Sequence, residues 1–174
     1  QIIKIARPIE NVYPVLCGKQ IAFIENTDDE FVSNALKYYQ EYEVVEDLTR
    51  VNELILKVSL CDLISSEINS YPYYRRFEND YSIAVSGKMW LDITNLDGTK
   101  GIAIKKIQEL LGIAPEETMA FGDYMNDLDM IQNAKYGYAM KNAHPKVIES
   151  AKYITEFDNN HFGVTSTIKK IFSL

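Results

Sequence analysis

The second half of the chain alternates short apolar segments with helical segments, and this alternation restricts the fold more than any other feature. Strands are predicted at residues 118–121, 138–140 and 153–154. The helices predicted around them span residues 100–111, residues 125–133, a segment begun by Pro145, and residues 164–172. Alternating strands and helices form a parallel sheet with right-handed crossovers, so we predict an α/β fold.

The first half has a different order of elements, in which predicted strands follow one another. They are predicted at residues 21–24, 54–58, 81–85 and 89–93. The tight-turn signal at Ser86 and Gly87 predicts a hairpin, and so a mixed or antiparallel sheet. One helix is expected to begin at a capping box of Thr27 and Glu30, and a second to span residues 61–74.

These two patterns of predicted secondary structure indicate two modules, residues 1–94 and residues 95–174. The modules meet at the segment Asn95-Leu96-Asp97-Gly98-Thr99. Ligand sites often lie where two modules face each other. We therefore expect an active site between them.

The bulk composition excludes several classes of function. The 174 residues are 47% apolar and 25% charged, which is the composition of a globular protein. A net charge of −7 repels phosphate backbones, so nucleic-acid binding is not expected. No apolar run approaches the roughly 20 residues of a membrane helix, so no membrane partner is expected. An enzyme this acidic needs a local cation or a metal ion to act on an anionic substrate.

Cysteine usage predicts a reducing, cytoplasmic compartment. Cys17 and Cys61 lie far apart without CxxC spacing, which disfavours a disulfide framework and a zinc site. His144 and His161 also lack the spacing of metal ligands. Because the first residue is Gln1, we expect the printed sequence to be a processed or partial translation product.

The segment that indicates chemistry most strongly is FGDYMND at residues 121–127. Gly122 permits a sharp turn at the end of a parallel strand, the edge of an α/β sheet where ligands bind. Asp123 projects there, and Asp127 follows about one helical turn later, so both carboxylates can face one point. Asn126 adds a neutral hydrogen-bonding group. Clustered carboxylates at such a site suit Mg²⁺, whereas a single Asp would be as well explained as a helix cap.

Two weaker signals accompany this segment. Lys100 opens a helix, where the positive end of the dipole disfavours a cation, so it is a candidate anion ligand as well as an ordinary surface lysine. Residues 139–143 (AMKNA) follow a strand, and Asn142 is a candidate for either a helix cap or a site residue.

With these residues in view, the chain resembles the Cof-type (subfamily IIB) phosphatases of the haloacid-dehalogenase superfamily. Residues 119–130 (MAFGDYMNDLDM) are similar to the fourth motif of that family, and residues 139–143 to the segment after it. Residues 99–101 (TKG) are similar to its third motif, and residues 160–164 (NHFGV) to its C-terminal signature. The resemblance is specific over residues 99–172 and loose over residues 1–94.

The resemblance implies a fold, a cofactor and a set of roles. The fold would be a C2-type α/β cap domain at residues 1–94 and part of a Rossmann-like parallel-sheet core at residues 95–174. The cofactor would be Mg²⁺, with Asp123 a ligand and Asp127 a ligand or an orienting group. Lys100 would neutralise the nucleophile and the phosphoryl group, and Asn126, with Asn142 beside it, would bind a small phosphorylated substrate.

The departures from the family pattern concern its first two motifs. The family begins with D-x-D-G-T, whose first Asp becomes phosphorylated, and then has a phosphate-binding Ser or Thr. Neither motif precedes the cap region here, and we interpret NLDGT at residues 95–99 as a chance imitation. We therefore expect this chain to be a C-terminal fragment without turnover of its own.

Three other functions compete with this reading. A non-catalytic binding or regulatory module with the same fold would explain the absent nucleophile. A receiver domain also clusters Asp and Lys, but here the lysine precedes the Gly-Asp run. Another magnesium phosphotransferase of the same superfamily, such as a phosphomutase, is the third alternative. The aromatic residues Tyr71, Tyr73, Tyr74 and Phe77, with Arg75 and Arg76, are expected to be core and surface of one helix rather than a pocket.

Overall fold

The computed structural model describes residues 1–173, which form two units divided between Asp97 and Gly98. This division lies within residues 95–99, where the sequence predicts that the two modules meet. Each unit has its own sheet, and the sheets differ in type. The first sheet is largely antiparallel and the second is parallel.

The first unit is a six-stranded sheet of order β3-β2-β1-β4-β6-β5 with short helices on it. Its strands are β1 (Val12–Gly18), β2 (Ala22–Ile24), β3 (Tyr42–Val44), β4 (Ile55–Asp62), β5 (Tyr81–Gly87) and β6 (Trp90–Asn95). Its α-helices are α1 (Ile2–Ala6), α2 (Asp29–Ala35) and α3 (Tyr71–Tyr74). Only β2 and β3 pair in parallel among these strands. The predicted hairpin is formed by β5 and β6.

Strand β1, which was not predicted, lies in the middle of this sheet between β2 and β4. Pro14 and Gly18 weaken its sequence signal, because proline cannot donate to a sheet ladder. Pro14 lies outside the residues that pair with β2, which are residues 15–17, and it pairs only with Leu60 of β4. Val15 is fully buried, so this strand carries part of the core.

The helix predicted over residues 61–74 begins later than expected. Strand β4 continues to Asp62, whose buried carboxylate accepts the backbone N–H groups of Ile64 and Ser65 at 3.0 Å and of Ser70 at 2.9 Å. A carboxylate that satisfies the N–H groups of the next turn ends a strand and starts a helical turn. The prediction failed because this interaction depends on an aspartate that the apolar pattern does not weigh.

Helix α2 is capped by Asp28, not by the predicted Thr27. The Asp28 side chain accepts a 3.0 Å hydrogen bond from the Phe31 N–H. Either residue type is a good N-cap, so the sequence pattern misplaced the start by one residue. Phe31 and Ala35 are buried against the sheet, as the helical spacing predicted.

Arg7 joins two loops of the first unit. Its guanidinium donates to Glu25 at 2.8 and 2.6 Å and to Asp47 at 2.7 Å. Glu25 also accepts the N–H of Leu48 at 2.9 Å. The hydrogen bond from Arg7 is the main reason that the pKa of Glu25 is lowered.

The second unit has a parallel sheet of order β7-β8-β9, which confirms the predicted α/β class. Its strands are β7 (Met119–Gly122), β8 (Tyr136–Ala139) and β9 (Tyr153–Ile154). Its helices are α4 (Lys100–Leu111), α5 (Leu128–Gln132), α6 (Pro145–Ser150) and α7 (Gly163–Phe172). Helix α4 has the predicted bounds and is ended by Gly112 in the left-handed conformation. None of the helices within residues 1–173 combines the length and apolarity needed to cross a membrane.

Candidate active site

The site is built at the end of β7, where Gly122 leads into Asp123. A short 3-10 turn, Met125–Asp127, then brings the Asp127 carboxylate back to the strand end. Its Oδ2 accepts the N–H of Asp123 at 2.9 Å and that of Tyr124 at 3.2 Å. A Cβ on Gly122 would overlap the side chain of Asp127, so this return requires glycine.

Lys100 forms an ion pair with Oδ1 of Asp127. The Asp127 side chain is only 5% exposed, whereas that of Lys100 is 51% exposed. Helix α4 presents Lys100 at its first residue, after Thr99 caps the helix by accepting the Ile102 N–H. A Cβ on Gly101 would overlap that of Asp129, so glycine lets α4 pack closely on α5. Two glycines therefore allow this ion pair to form.

Asp123 is held by a residue that the sequence did not single out. The side-chain amide of Asn159 donates a 2.6 Å hydrogen bond to Asp123 Oδ2. The backbone N–H of Asn159 donates in turn to Asn142 Oδ1 at 3.2 Å. The loops that follow the parallel strands β7, β8 and β9 thus meet near the Asp123 carboxylate. This is the edge of the sheet at which ligands are expected to bind.

Burial raises the pKa of Asp123, and the neighbouring Asp127 carboxylate acts in the same direction. The hydrogen bond from Asn159 and the charge of Lys100 lower that pKa and oppose part of the increase. When a carboxylate is partly desolvated and lies beside another carboxylate, a nearby cation stabilises its ionised form.

Asn126 contributes an oxygen without a partner. Its Oδ1 is buried and accepts no hydrogen bond from any residue between 1 and 173. Buried polar atoms are normally paired, so an orphaned acceptor is typical of a place where a ligand or an ion belongs.

The structure brings the predicted residues together within the second unit, with different contacts for each. Lys100 and Asp127 pair with each other, Asp123 and Asn142 are linked through Asn159, and Asn126 keeps an open acceptor. The sequence missed Asn159, although the loop after a third parallel strand was a signal that could have identified it. Asn142 supports that loop by accepting the Asn159 N–H, and its contact with substrate stays a prediction.

The donor set fits Mg²⁺ in its chemistry. Asp123 and Asn126 offer hard oxygen atoms, and Mg²⁺ commonly uses one or two carboxylates together with water and phosphate oxygens. Residues 1–173 contain no group of three or more His, Cys, Asp or Glu side chains that could hold a metal ion by itself. Both oxygens of Asp127 are already engaged, so Asp123 is the better candidate ligand.

A sequence model of the haloacid dehalogenase-like hydrolases matches residues 1–168. The chain belongs to this family. The match confirms the resemblance drawn from the short motifs at residues 99–172, and it extends over the first unit, where the sequence resemblance was loose.

Individual known proteins are similar over most of this chain. The 5-amino-6-(5-phospho-D-ribitylamino)uracil phosphatase YbjI of Escherichia coli is 30% identical over 161 residues, which are 90% of this chain and 58% of YbjI. SMU.1108c from Streptococcus mutans shares the fold, with a TM-score of 0.85 and 24% identity over 99% of this chain and 66% of that one. TM0651 from Thermotoga maritima has a TM-score of 0.69 and 27% identity over 97% of this chain and 64% of that one.

The chain spans about half the length of the curated relatives it matches. YcsE of Bacillus subtilis, another 5-amino-6-(5-phospho-D-ribitylamino)uracil phosphatase, is 37% identical over 94 residues, which are 37% of YcsE. These relatives therefore contain residues that have no counterpart in this chain.

Proposed function

We propose that residues 98–173 supply half of the active site of a Mg²⁺-dependent phosphatase that hydrolyses small phosphomonoesters. The observation that carries this proposal is the meeting of Lys100, Asp127 and Asp123 at the end of β7. A cation and a partly desolvated carboxylate at one strand end provide what phosphoryl transfer needs, namely positioning and charge neutralisation.

Each side chain has a role that follows from its contacts. Asp127 uses both oxygens to fix the Lys100 ammonium and the turn after β7, so it acts as an orienting residue. Lys100, which is half exposed, presents its remaining donors to phosphoryl oxygens. Asp123 and the open oxygen of Asn126 would hold the metal ion or the groups bound to it. Mg²⁺, when bound, would neutralise charge on the transferring phosphoryl group.

The reaction itself would use an aspartate that is not among residues 1–174. Its carboxylate oxygen forms a bond to phosphorus while the ester P–O bond breaks, and the alcohol leaves with a proton from an acid group. Water then attacks the aspartyl phosphate, releasing inorganic phosphate and restoring the carboxylate. This nucleophile is the first Asp of the D-x-D-G-T motif described above. Because residues 1–174 lack that motif, we propose that they do not turn over substrate alone.

The first unit, in this proposal, is the cap that selects the substrate. The family match over residues 1–168 supports this assignment, since it includes the first unit. The names of YbjI and YcsE describe phosphatases of a phosphorylated ribityl compound, and this supports a small phosphorylated metabolite as the substrate class. The cytoplasmic location stays a prediction.

The test compares the full-length product of the gene with residues 1–174 alone on a panel of small phosphomonoesters. Hydrolysis is expected only in the full-length protein and only with Mg²⁺. Asp123→Ala should lower its kcat/KM by roughly 10³-fold or more. If Asp123→Ala keeps activity within tenfold of the wild-type value, the role of Asp123 is contradicted. Hydrolysis by residues 1–174 alone would contradict the proposal that the nucleophile lies outside them.

A phosphomutase would be distinguished in the same panel. Transfer of the phosphoryl group to a second hydroxyl of the product, stimulated by a bisphosphate, would replace hydrolysis as the assigned reaction. Binding of phosphomonoesters by the full-length protein without any transfer would favour the non-catalytic module.

A further inference from the structure

Three aromatic rings lie side by side on one face of the second sheet. The register pairs Phe121 of β7 with Tyr138 of β8, and Tyr138 with Tyr153 of β9. The ring centroids are 5.2 Å apart for Phe121 and Tyr138, and 5.0 Å apart for Tyr138 and Tyr153. Both pairs are stacked, at separations where aromatic rings attract each other. The stack therefore runs across the three strands.

The stack ends at Tyr153. Strand β9 is the last strand of this sheet in the part of the chain that the structure describes, so no strand beyond it supplies another ring. Because the rings follow one another across the strands, the outer ring face of Tyr153 is directed away from Tyr138. Tyr153 is 42% exposed. Its outer face can therefore accept one more ring.

A cavity of about 520 Å³ opens beside this end of the stack, between the sheet and helix α7. Ser166, Thr167 and Ile171 of α7 line one side, and Tyr153 and Phe157 line the other. This volume is in the range of sites that bind small molecules, which are mostly apolar with a few polar groups.

Helix α7 is held closely at its first residue and loosely after it. A Cβ on Gly163 would overlap the carbonyl oxygen of Phe157 and lie 2.7 Å from Met140 Cε, so glycine lets the helix start against the sheet. Gly163 is the one buried residue of α7. The following turns are half-buried or exposed, and the cavity lies beside them.

Two opposite charges lie at the rim of the cavity. Lys170 Nζ donates to Glu156 Oε2 at 3.2 Å, and both side chains are largely exposed. The ammonium has further donors, and Glu156 Oε1 accepts no hydrogen bond from the residues that the structure describes. Burial raises the pKa of Tyr138, and the charge of Lys170 opposes part of that increase. The ammonium therefore acts on the stacked rings as well as on Glu156.

We propose that this cavity binds a neutral nitrogen heterocycle of purine size, such as the base of a free nucleoside. The ring stacks on Tyr153, extends the existing stack and contacts the apolar side chains of Phe157 and Ile171. The edge of such a ring carries both acceptors and donors. It can therefore accept from Lys170 and donate to Glu156.

The chemistry of the cavity favours this ligand over other small molecules. An aliphatic molecule could fill the apolar part but could not extend the stack. A cation is repelled by Lys170 and an anion by Glu156, whereas a neutral ring with donors and acceptors suits both. This inference goes beyond the proposed function, because neither Lys100 nor Asp123 lines the cavity.

The fluorescence of 2-aminopurine riboside tests the proposal, because the emission of this base falls when it stacks on another ring. Titration with the full-length protein should give a saturable decrease with a Kd of about 0.1 mM, from roughly 0.3 kcal/mol per ligand atom. Excess adenosine should displace the probe, whereas ribose and inorganic phosphate should not. No saturable decrease up to about 1 mM protein overturns the proposal. Displacement by ribose or by phosphate also overturns it, because the probe would then be held through its sugar or at the proposed phosphatase site.

Two pairs of matched variants test where the probe binds. Ser166→Phe places a ring in the cavity and should weaken binding at least about tenfold. Thr165→Phe, at the preceding and exposed position of α7, should leave binding unchanged. Tyr153→Ala should weaken binding about five- to tenfold through loss of the stacking partner, relative to Tyr73→Ala at an exposed ring of the first unit. Unchanged affinity in both Ser166→Phe and Tyr153→Ala, or equal losses within each pair, overturns the proposal.

Discussion

The side-chain amide of Asn159 lies 2.6 Å from Oδ2 of Asp123, although 36 residues separate the two in the chain. The backbone of Asn159 is itself bound to Asn142. Asp123 is therefore oriented by a loop that follows a different strand. A carboxylate with fixed direction loses less freedom when it binds a cation, which is how supporting hydrogen bonds strengthen metal sites.

Asn159→Ala should weaken Mg²⁺ binding by the full-length protein about 10- to 100-fold, because Asp123 loses the group that orients it. Isothermal titration with Mg²⁺ alone measures this without turnover. Asn160→Ala is the matched control, since its side chain makes no hydrogen bond within the described residues. Equal Mg²⁺ affinity in the two variants would show that Asn159 does not support the metal site.

Lys100→Met should lower kcat/KM of the full-length protein by about 10²- to 10³-fold, because it removes the cation that we propose neutralises the phosphoryl group. The variant also leaves Asp127, only 5% exposed, without its ion-pair partner, so its thermal midpoint should fall. Lys105→Met on the exposed side of the same helix is the control. If both variants keep wild-type kinetics, Lys100 has no role in the reaction.

Gly122→Ala should reduce the free energy of unfolding by roughly 1–3 kcal/mol, because the new methyl group overlaps the Asp127 side chain. The displaced Asp127 should also release Lys100, so activity should fall with stability. Gly87→Ala is a suitable comparison, because its methyl group would meet Trp90 Cδ1 at an ordinary 3.6 Å. Urea unfolding of both variants measures the difference, and similar losses at the two sites would refute the steric argument.

Stability should fall in mild acid through Glu25. Its pKa is lowered from 4.5 in the folded state, mainly by the hydrogen bond from Arg7. A lowered folded pKa means that the stabilisation is complete above the pKa of the unfolded chain and is lost as pH falls through the folded pKa. The difference between the urea midpoints of the wild type and Glu25→Gln should therefore be largest above about pH 4.5 and shrink progressively as the pH falls below that value. A constant gap between them from neutral to acidic pH would contradict this linkage, and Glu10→Gln serves as the surface control.

Much of the second unit could be predicted because its signals are local. Thr99 and Gly112 bound α4 through their own backbone preferences, and Pro145 begins α6 for the same reason. The GDYMND segment was recognised as a site because glycine, strand end and carboxylates lie within six residues. The first unit was harder, since β1 contains a proline and Asp62 turns a predicted helix into a strand end.

The sequence by itself determined the local conformation of most segments, the α/β class, and the residue types available for chemistry. It did so because caps, glycines and hydrophobic periodicity act over a few neighbouring residues. Only the tertiary structure decided which side chains meet: Asn159 with Asp123, Lys100 with Asp127, and Ser59 with Asp92. These pairs depend on strand order, register and the close packing of helices at glycine, which are settled by burial over the whole unit rather than by any local segment.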